Sequence, residues 1–182
     1  MGIPTLLETN TITSSTAISA FTSSIDSTYD EYMFVFTDVN PSASSGLDDW
    51  QFAGSTDGGS NYGVTKTTVA WGSGSAESGA SSWLTYHTSN DRAQSTDSAW
   101  LSYDTGTASN YSTNGILHLF TPSNTTYVKH FICRSANGYY GNYSNDWFVA
   151  GYFNTTSAIN AVKFHFDTGN IDTSVIQMYG IK

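Results

Sequence analysis

The feature that most constrains this chain is a strict two-residue alternation near its C-terminus. Over Ala161 to Asp167, the apolar Val162, Phe164 and Phe166 share one side, and Lys163, His165 and Asp167 share the other. Successive side chains of a strand point to opposite faces, so this pattern specifies a half-buried strand. It also fixes the register, because a slip of one residue would reverse both faces.

Strand signals of the same kind recur along the chain. Tyr32 to Phe36 is a dense apolar run that turn chemistry closes at Asn40-Pro41. Asp49 to Ala53 alternates, Thr56 to Asn61 supplies a glycine-bearing turn, and Tyr62 to Val69 returns as a β-branched strand, so the two runs read as a hairpin. Gly115 to Thr121 and Tyr127 to Arg134 flank Pro122-Ser123-Asn124 as a second hairpin. Further strands are expected at Trp83 to His87, Ala99 to Tyr103, Asp146 to Phe153 and, after the Gly169-Asn170 turn, Val175 to Ile181. Residues 72–82 are nearly all Gly, Ser and Ala and read as a flexible loop. No stretch carries a sustained helical apolar stripe with caps. Roughly ten strands at this spacing imply an all-β fold, an antiparallel two-sheet β-sandwich of jelly-roll type, with an up-and-down barrel as the alternative. The expectation is one domain over residues 1–182, in which residues 1–10 could extend as an N-terminal arm.

Charge narrows the partners. Fifteen acidic and six basic side chains give a formal net charge of −9. Phosphate backbones and anionic lipid attract Lys and Arg clusters, so neither nucleic acid nor membrane is an expected partner. No apolar run approaches membrane-spanning length. The opening Met1-Gly2-Ile3-Pro4-Thr5-Leu6 has no basic region and no long apolar core. The Asn-X-Ser/Thr triplets at Asn110, Asn124, Asn142 and Asn154 therefore read as products of polar loops.

The sequence carries no recognisable catalytic or metal-binding pattern. His87, His118, His130 and His165 are dispersed, and Cys133 is the single cysteine, set in an apolar run as a small buried hydrophobe. His118 and His130 could oppose each other across the hairpin around Pro122. Asp26, Asp30 and Glu31 form one acidic cluster and Asp48-Asp49 another, and both read as solvated or turn-capping groups. There is no nucleophile elbow and no phosphate loop. The expectation is a protein that is not an enzyme, with no cofactor and no metal. One segment has the composition of a contact surface: Asn137 to Trp147, with Tyr139, Tyr140, Asn142, Tyr143 and Trp147. Tyr among Gly, Ser and Asn gives rigid amphipathic area with adaptable polar groups. Such a surface could meet protein, stack on sugar rings, or fold back onto the core.

Three segments carry a family resemblance: Ser24 to Tyr32, Ser55 to Tyr62 and Gly151 to Asn160. The ending, Thr168 to Asp172 and Met178 to Lys182, adds to it. Together they resemble a family of small β-rich structural proteins from tailed phages of marine bacteria and cyanobacteria. Residues 72–114 match least. The resemblance implies a virion component without saying which one; taken with the compact domain and the absence of a catalytic set, the leading expectation is a capsid decoration or cement protein against the major capsid protein. The resemblance carries over no catalytic residue. A homo-oligomer is expected, a trimer before a dimer. The alternatives are a tail-fibre or receptor-binding module for host-surface glycan and, on the acidic clusters alone, a depolymerase or peptidoglycan hydrolase.

Overall fold

The computed structural model describes residues 2–42, 46–139 and 141–182. Their strands are β1 (Thr5–Ile12), β2 (Ser19–Phe21), β3 (Glu31–Pro41), β4 (Leu47–Asp48), β5 (Trp50–Ser55), β6 (Lys66–Ala76) and β7 (Ser82–Tyr86). They continue as β8 (Ala99–Trp100), β9 (Thr105–Gly106), β10 (Thr113–Phe120), β11 (Lys129–Tyr139), β12 (Tyr143–Phe153), β13 (Ala161–Phe166) and β14 (Ile171–Ile181). The fold is the all-β sandwich that the alternation called for. An eight-stranded antiparallel sheet, β1-β14-β3-β10-β11-β12-β6-β7, faces a four-stranded one, β2-β13-β5-β8, and β4 and β9 make a short ribbon. Both sheets are open, so no barrel closes. The N-terminal segment 1–10, which could have extended as an arm, instead enters the sheet at Thr5, where β1 pairs with β14 as an edge strand.

The core lies between the inner faces. Phe164 of β13 is fully buried and is ringed by Phe21, Phe34, Phe36, Trp50 and Phe52, with centroids 5.4–6.4 Å away. Val162 and Phe166 are buried beside it, so the faces of this strand are as its alternation specified. Lys66 and Lys129, paired with Phe153 from either side, are also buried. Each keeps its ammonium on two backbone carbonyls, Thr96 and Asp97 for Lys66, Tyr127 and Thr155 for Lys129. Their alkyl stems extend the core while the charged heads stay satisfied.

Four expectations need correction. The hairpin of residues 49–53 with 62–69 does not form: β5 pairs with β13 and β8, whereas β6 pairs with β12 and β7 in the other sheet. The intervening glycine turn joins two layers instead of two neighbours. Residues 72–76, read as flexible loop, are the second half of β6, and only the turn before β7 is loop. Small residues are needed there because side chains press on them: a Cβ on Gly72 would lie 2.6 Å from the Trp147 ring. His118 stands opposite Ile132, not His130, and pairs with Glu31. His130 stands opposite Tyr152. The hairpin around Pro122 itself forms as expected, from β10 and β11. Finally, Asp48 and Asp49 are buried, as described below.

Candidate functional site

Two surfaces follow from the way the large sheet is used. The first is its outer face. Strand alternation should leave this face polar, since only the inner face meets the second sheet. The register instead lines up two largely apolar rows. One runs Tyr86, Trp71, Phe148, Arg134, Ile116, Val35, Gln177 from β7 to β14. The next runs Val69, Ala150, Ile132, His118, Met33, Tyr179, Leu6 from β6 to β1. Val69, Trp71, Ile116 and Ile132 are each at least 40% exposed. Trp71 and Phe148 stack at 4.1 Å, with the Arg134 guanidinium 4.8 Å from the Phe148 centroid. A shallow groove of about 540 Å³ runs between Val69, Trp71, Ile116, Ile132 and Phe148. The two ionisable groups in these rows are already matched, Arg134 to Asp146 at 3.0 Å and His118 to Glu31.

The second surface is an aromatic cleft at the β7 end of the sandwich. There the inner face of the large sheet meets the segment after β8. Ser135 Oγ donates to the Leu101 carbonyl at 2.6 Å, and Asn137 Nδ2 donates to the Tyr103 carbonyl at 3.0 Å. The cleft, about 360 Å³, is lined by Trp83, His87, Tyr103, Asp104, Tyr139, Tyr143, Asn145 and Trp147. Trp147 is 2% exposed and forms its floor, with its indole N–H donating to Asn137 Oδ1 at 3.0 Å. His87 and Tyr103 meet that ring edge-on, at 4.7 and 5.9 Å, and Trp83 lies 5.5 Å away. Tyr139 and Tyr143 form one wall as an edge-to-face pair at 5.7 Å, and Tyr143 also hydrogen-bonds Ser81. Glycine makes the room: a Cβ on Gly74 would lie 2.4 Å from the Trp83 indole nitrogen and 2.5 Å from Asn145 Oδ1. Two buried polar atoms here lack hydrogen-bond partners, Asn145 Oδ1 and His87 Nε2. Burial lowers the His87 pKa and so favours the neutral imidazole.

Of the five expected contact residues, the structure brings Tyr139, Tyr143 and Trp147 into this cleft. Asn142 sits at the tip of the β11–β12 hairpin with φ 64°, where its side chain accepts from the Tyr111 hydroxyl at 3.0 Å. Tyr140 lies outside the described residues. Asn145 lies inside the expected segment, whereas sequence reading missed Trp83, His87, Tyr103 and Asp104. They come from separate segments, and no local spacing links them.

Beneath the cleft lies a group of aspartates. Asp48 is 2% exposed and Asp49 8%, so neither is solvated. The capping half of the expectation holds: Asp48 Oδ1 accepts from the Thr168 and Asp49 amides, both at 3.1 Å, and Asp49 Oδ1 accepts from the Asp104 amide at 2.8 Å. Asp167 Oδ1 accepts from the Asp49 amide at 2.9 Å. Burial, then the facing Asp167, raise the Asp48 pKa, while Asp167 is held below the usual range with help from the Asp49 amide. Burial also pushes Asp49 up to about 7 and raises Asp104. The other acidic cluster disperses: Asp26 caps the turn at Thr28 and binds the Tyr32 hydroxyl, whereas Glu31 faces His118.

No protein-family model, curated protein or solved structure matches this chain.

Proposed function

We propose that this sandwich, read as a jelly-roll variant, is a structural protein that works by burying the outer face of its large sheet against a second copy of itself. The observation that carries this reading is the pair of apolar rows on a face that a solitary sandwich would keep polar. Seven strands about 4.8 Å apart, in two rows about 7 Å apart, give a patch on the order of 500 Å². That is at the upper end of the roughly 300–600 Å² of the largest patch on a typical monomer, a size that is often functional. The one formal charge in these rows, Arg134, is paired with Asp146, so two copies of a −9 chain can meet here with few like charges opposed. A face that meets itself implies a two-fold contact. A trimer would need a second, different surface.

The setting we propose is a phage head, with the protein as a decoration or cement component beside the major capsid protein. The resemblance of the turn and C-terminal segments supports that setting. A cement protein stabilises a shell by contacts alone, which suits an apolar face of this size. Cryo-electron microscopy of phage particles that encode the chain tests it. Many copies on the shell surface are expected, and a position only on the tail, or absence from purified particles, would overturn the decoration role.

A further inference from the structure

We propose that the aromatic cleft at the β7 end is a binding site for an uncharged saccharide. This is independent of the outer face, which points away from it. Pyranose rings present C–H faces that lie on aromatic planes and hydroxyls that need hydrogen-bond partners. The cleft supplies both. Trp83, Tyr103, Tyr139 and Tyr143 are half-buried around a buried Trp147, so aromatic area is held open to solvent instead of closing on itself. Its volume of about 360 Å³ falls within the range of small-molecule sites.

The polar groups say which sugars fit. Asn145 Oδ1 is a buried acceptor with no partner, in a residue only 3% exposed, and His87 Nε2 is a second unpartnered buried atom. Both atoms belong to lining residues but lie behind the cleft surface, and since buried polar groups are almost always satisfied, a ligand that turns either side chain outward would gain a hydrogen bond there. Asp104 also lines the cleft, and its carboxylate takes no hydrogen bond from the described residues. It sits at φ 56°, a backbone conformation that an L-residue holds at some cost and that recurs at ligand sites. Carboxylate acceptors suit sugar hydroxyls. Asp104, with Asp167 behind it, would repel uronic acids and sulfated or sialylated chains. The floor is pre-formed, because the Trp147–Asn137–Tyr103 hydrogen bonds fix it without a ligand.

The test is a glycan array carrying neutral glucose, galactose, mannose and N-acetylhexosamine oligomers beside uronate and sulfated polymers, followed by titration of the indole fluorescence. Neutral oligomers are expected to bind and to perturb the emission. Trp83→Ala and Tyr139→Ala should each weaken binding about tenfold or more, equivalent to about 1.4 kcal/mol, with unchanged far-ultraviolet circular dichroism. Trp83 lies on an edge strand, so Tyr139→Ala decides if the first variant misfolds. Asp104→Asn, which keeps the residue type tolerant of positive φ, should retain neutral ligands and admit acidic ones. Failure of every neutral oligomer to bind, preference of the native protein for acidic polymers, or equal affinity in a folded Tyr139→Ala variant would each overturn the proposal.

Discussion

Asp49 offers a quantitative probe of the buried aspartates. It is 8% exposed, and burial raises its pKa from 3.8 to about 7. Between these values the native chain holds a proton that the unfolded chain has released, so stability falls as pH rises across that window. Below it both states are protonated and burial carries no charge penalty. Above it both are charged and the full penalty is present. A shift of about three units corresponds to about 4 kcal/mol, an upper figure for an order-of-magnitude argument. The raised Asp48 acts in the same direction, and the lowered Asp167 opposes it. Asp49→Asn removes the charge yet keeps an oxygen for the Asp104 amide, which Asp49 accepts at 2.8 Å. Urea unfolding followed by tryptophan fluorescence should find the variant and parent equally stable near pH 4, with the variant ahead by about 2–4 kcal/mol near pH 8. A gap that does not change with pH, or one that favours the parent at high pH, would show that Asp49 is not buried as a protonated acid.

Phe164→Ala should cost about 3–5 kcal/mol in the same assay, because five aromatic rings would be left around the cavity; a loss under about 1 kcal/mol would place that side chain outside the core. His165→Ala should cost about 1–2 kcal/mol, since it would break the 2.8 Å bond between Nε2 and Ser98 and the 2.6 Å bond from Nδ1 to the Phe166 carbonyl. A neutral result would mean that the residue 92–98 segment does not cover this face. Gly72→Ala should lower the melting temperature and shift the indole emission, because the added Cβ meets the Trp147 ring at 2.6 Å. An unchanged emission maximum would count against that packing.

Some of this molecule was legible in the residues, for physical reasons. The β13 alternation told its own burial because one face meets the core and the other does not, and a period of two is local information. Its outward face was harder: His165 is half-buried by a loop some 70 positions earlier, which no periodicity reports. The β10–β11 hairpin was readable because a short turn makes neighbours of adjacent strands. Tyr62 to Val69 was assigned the wrong neighbour because a glycine turn looks the same whether it joins strands in one sheet or crosses between two. The Gly/Ser/Ala run of β6 passed for a loop because its composition is set by Trp83 and Trp147 pressing on it, from positions the run itself does not contain. Tyr139, Tyr143 and Trp147 were singled out from composition alone, yet the cleft they help line depends on Trp83 and Asp104, which fold in from elsewhere. The outer-face rows were invisible for the same reason. Each strand contributes only one or two apolar residues to them, and they become rows only in the register of the assembled sheet.

The most direct test of the assembly reading is sedimentation equilibrium of the purified protein at tens of micromolar, compared with Ile132→Lys. Ile132 is 47% exposed at the centre of the outer face, so a lysine there can reach solvent and leave the fold intact. The native chain should sediment as a dimer or larger even-numbered assembly. The variant should sediment at the monomer mass of 19.7 kDa with an unchanged melting temperature. A monomeric native protein, or a folded variant that self-associates as strongly as the parent, would contradict the proposal that this face is where the protein meets its own copies.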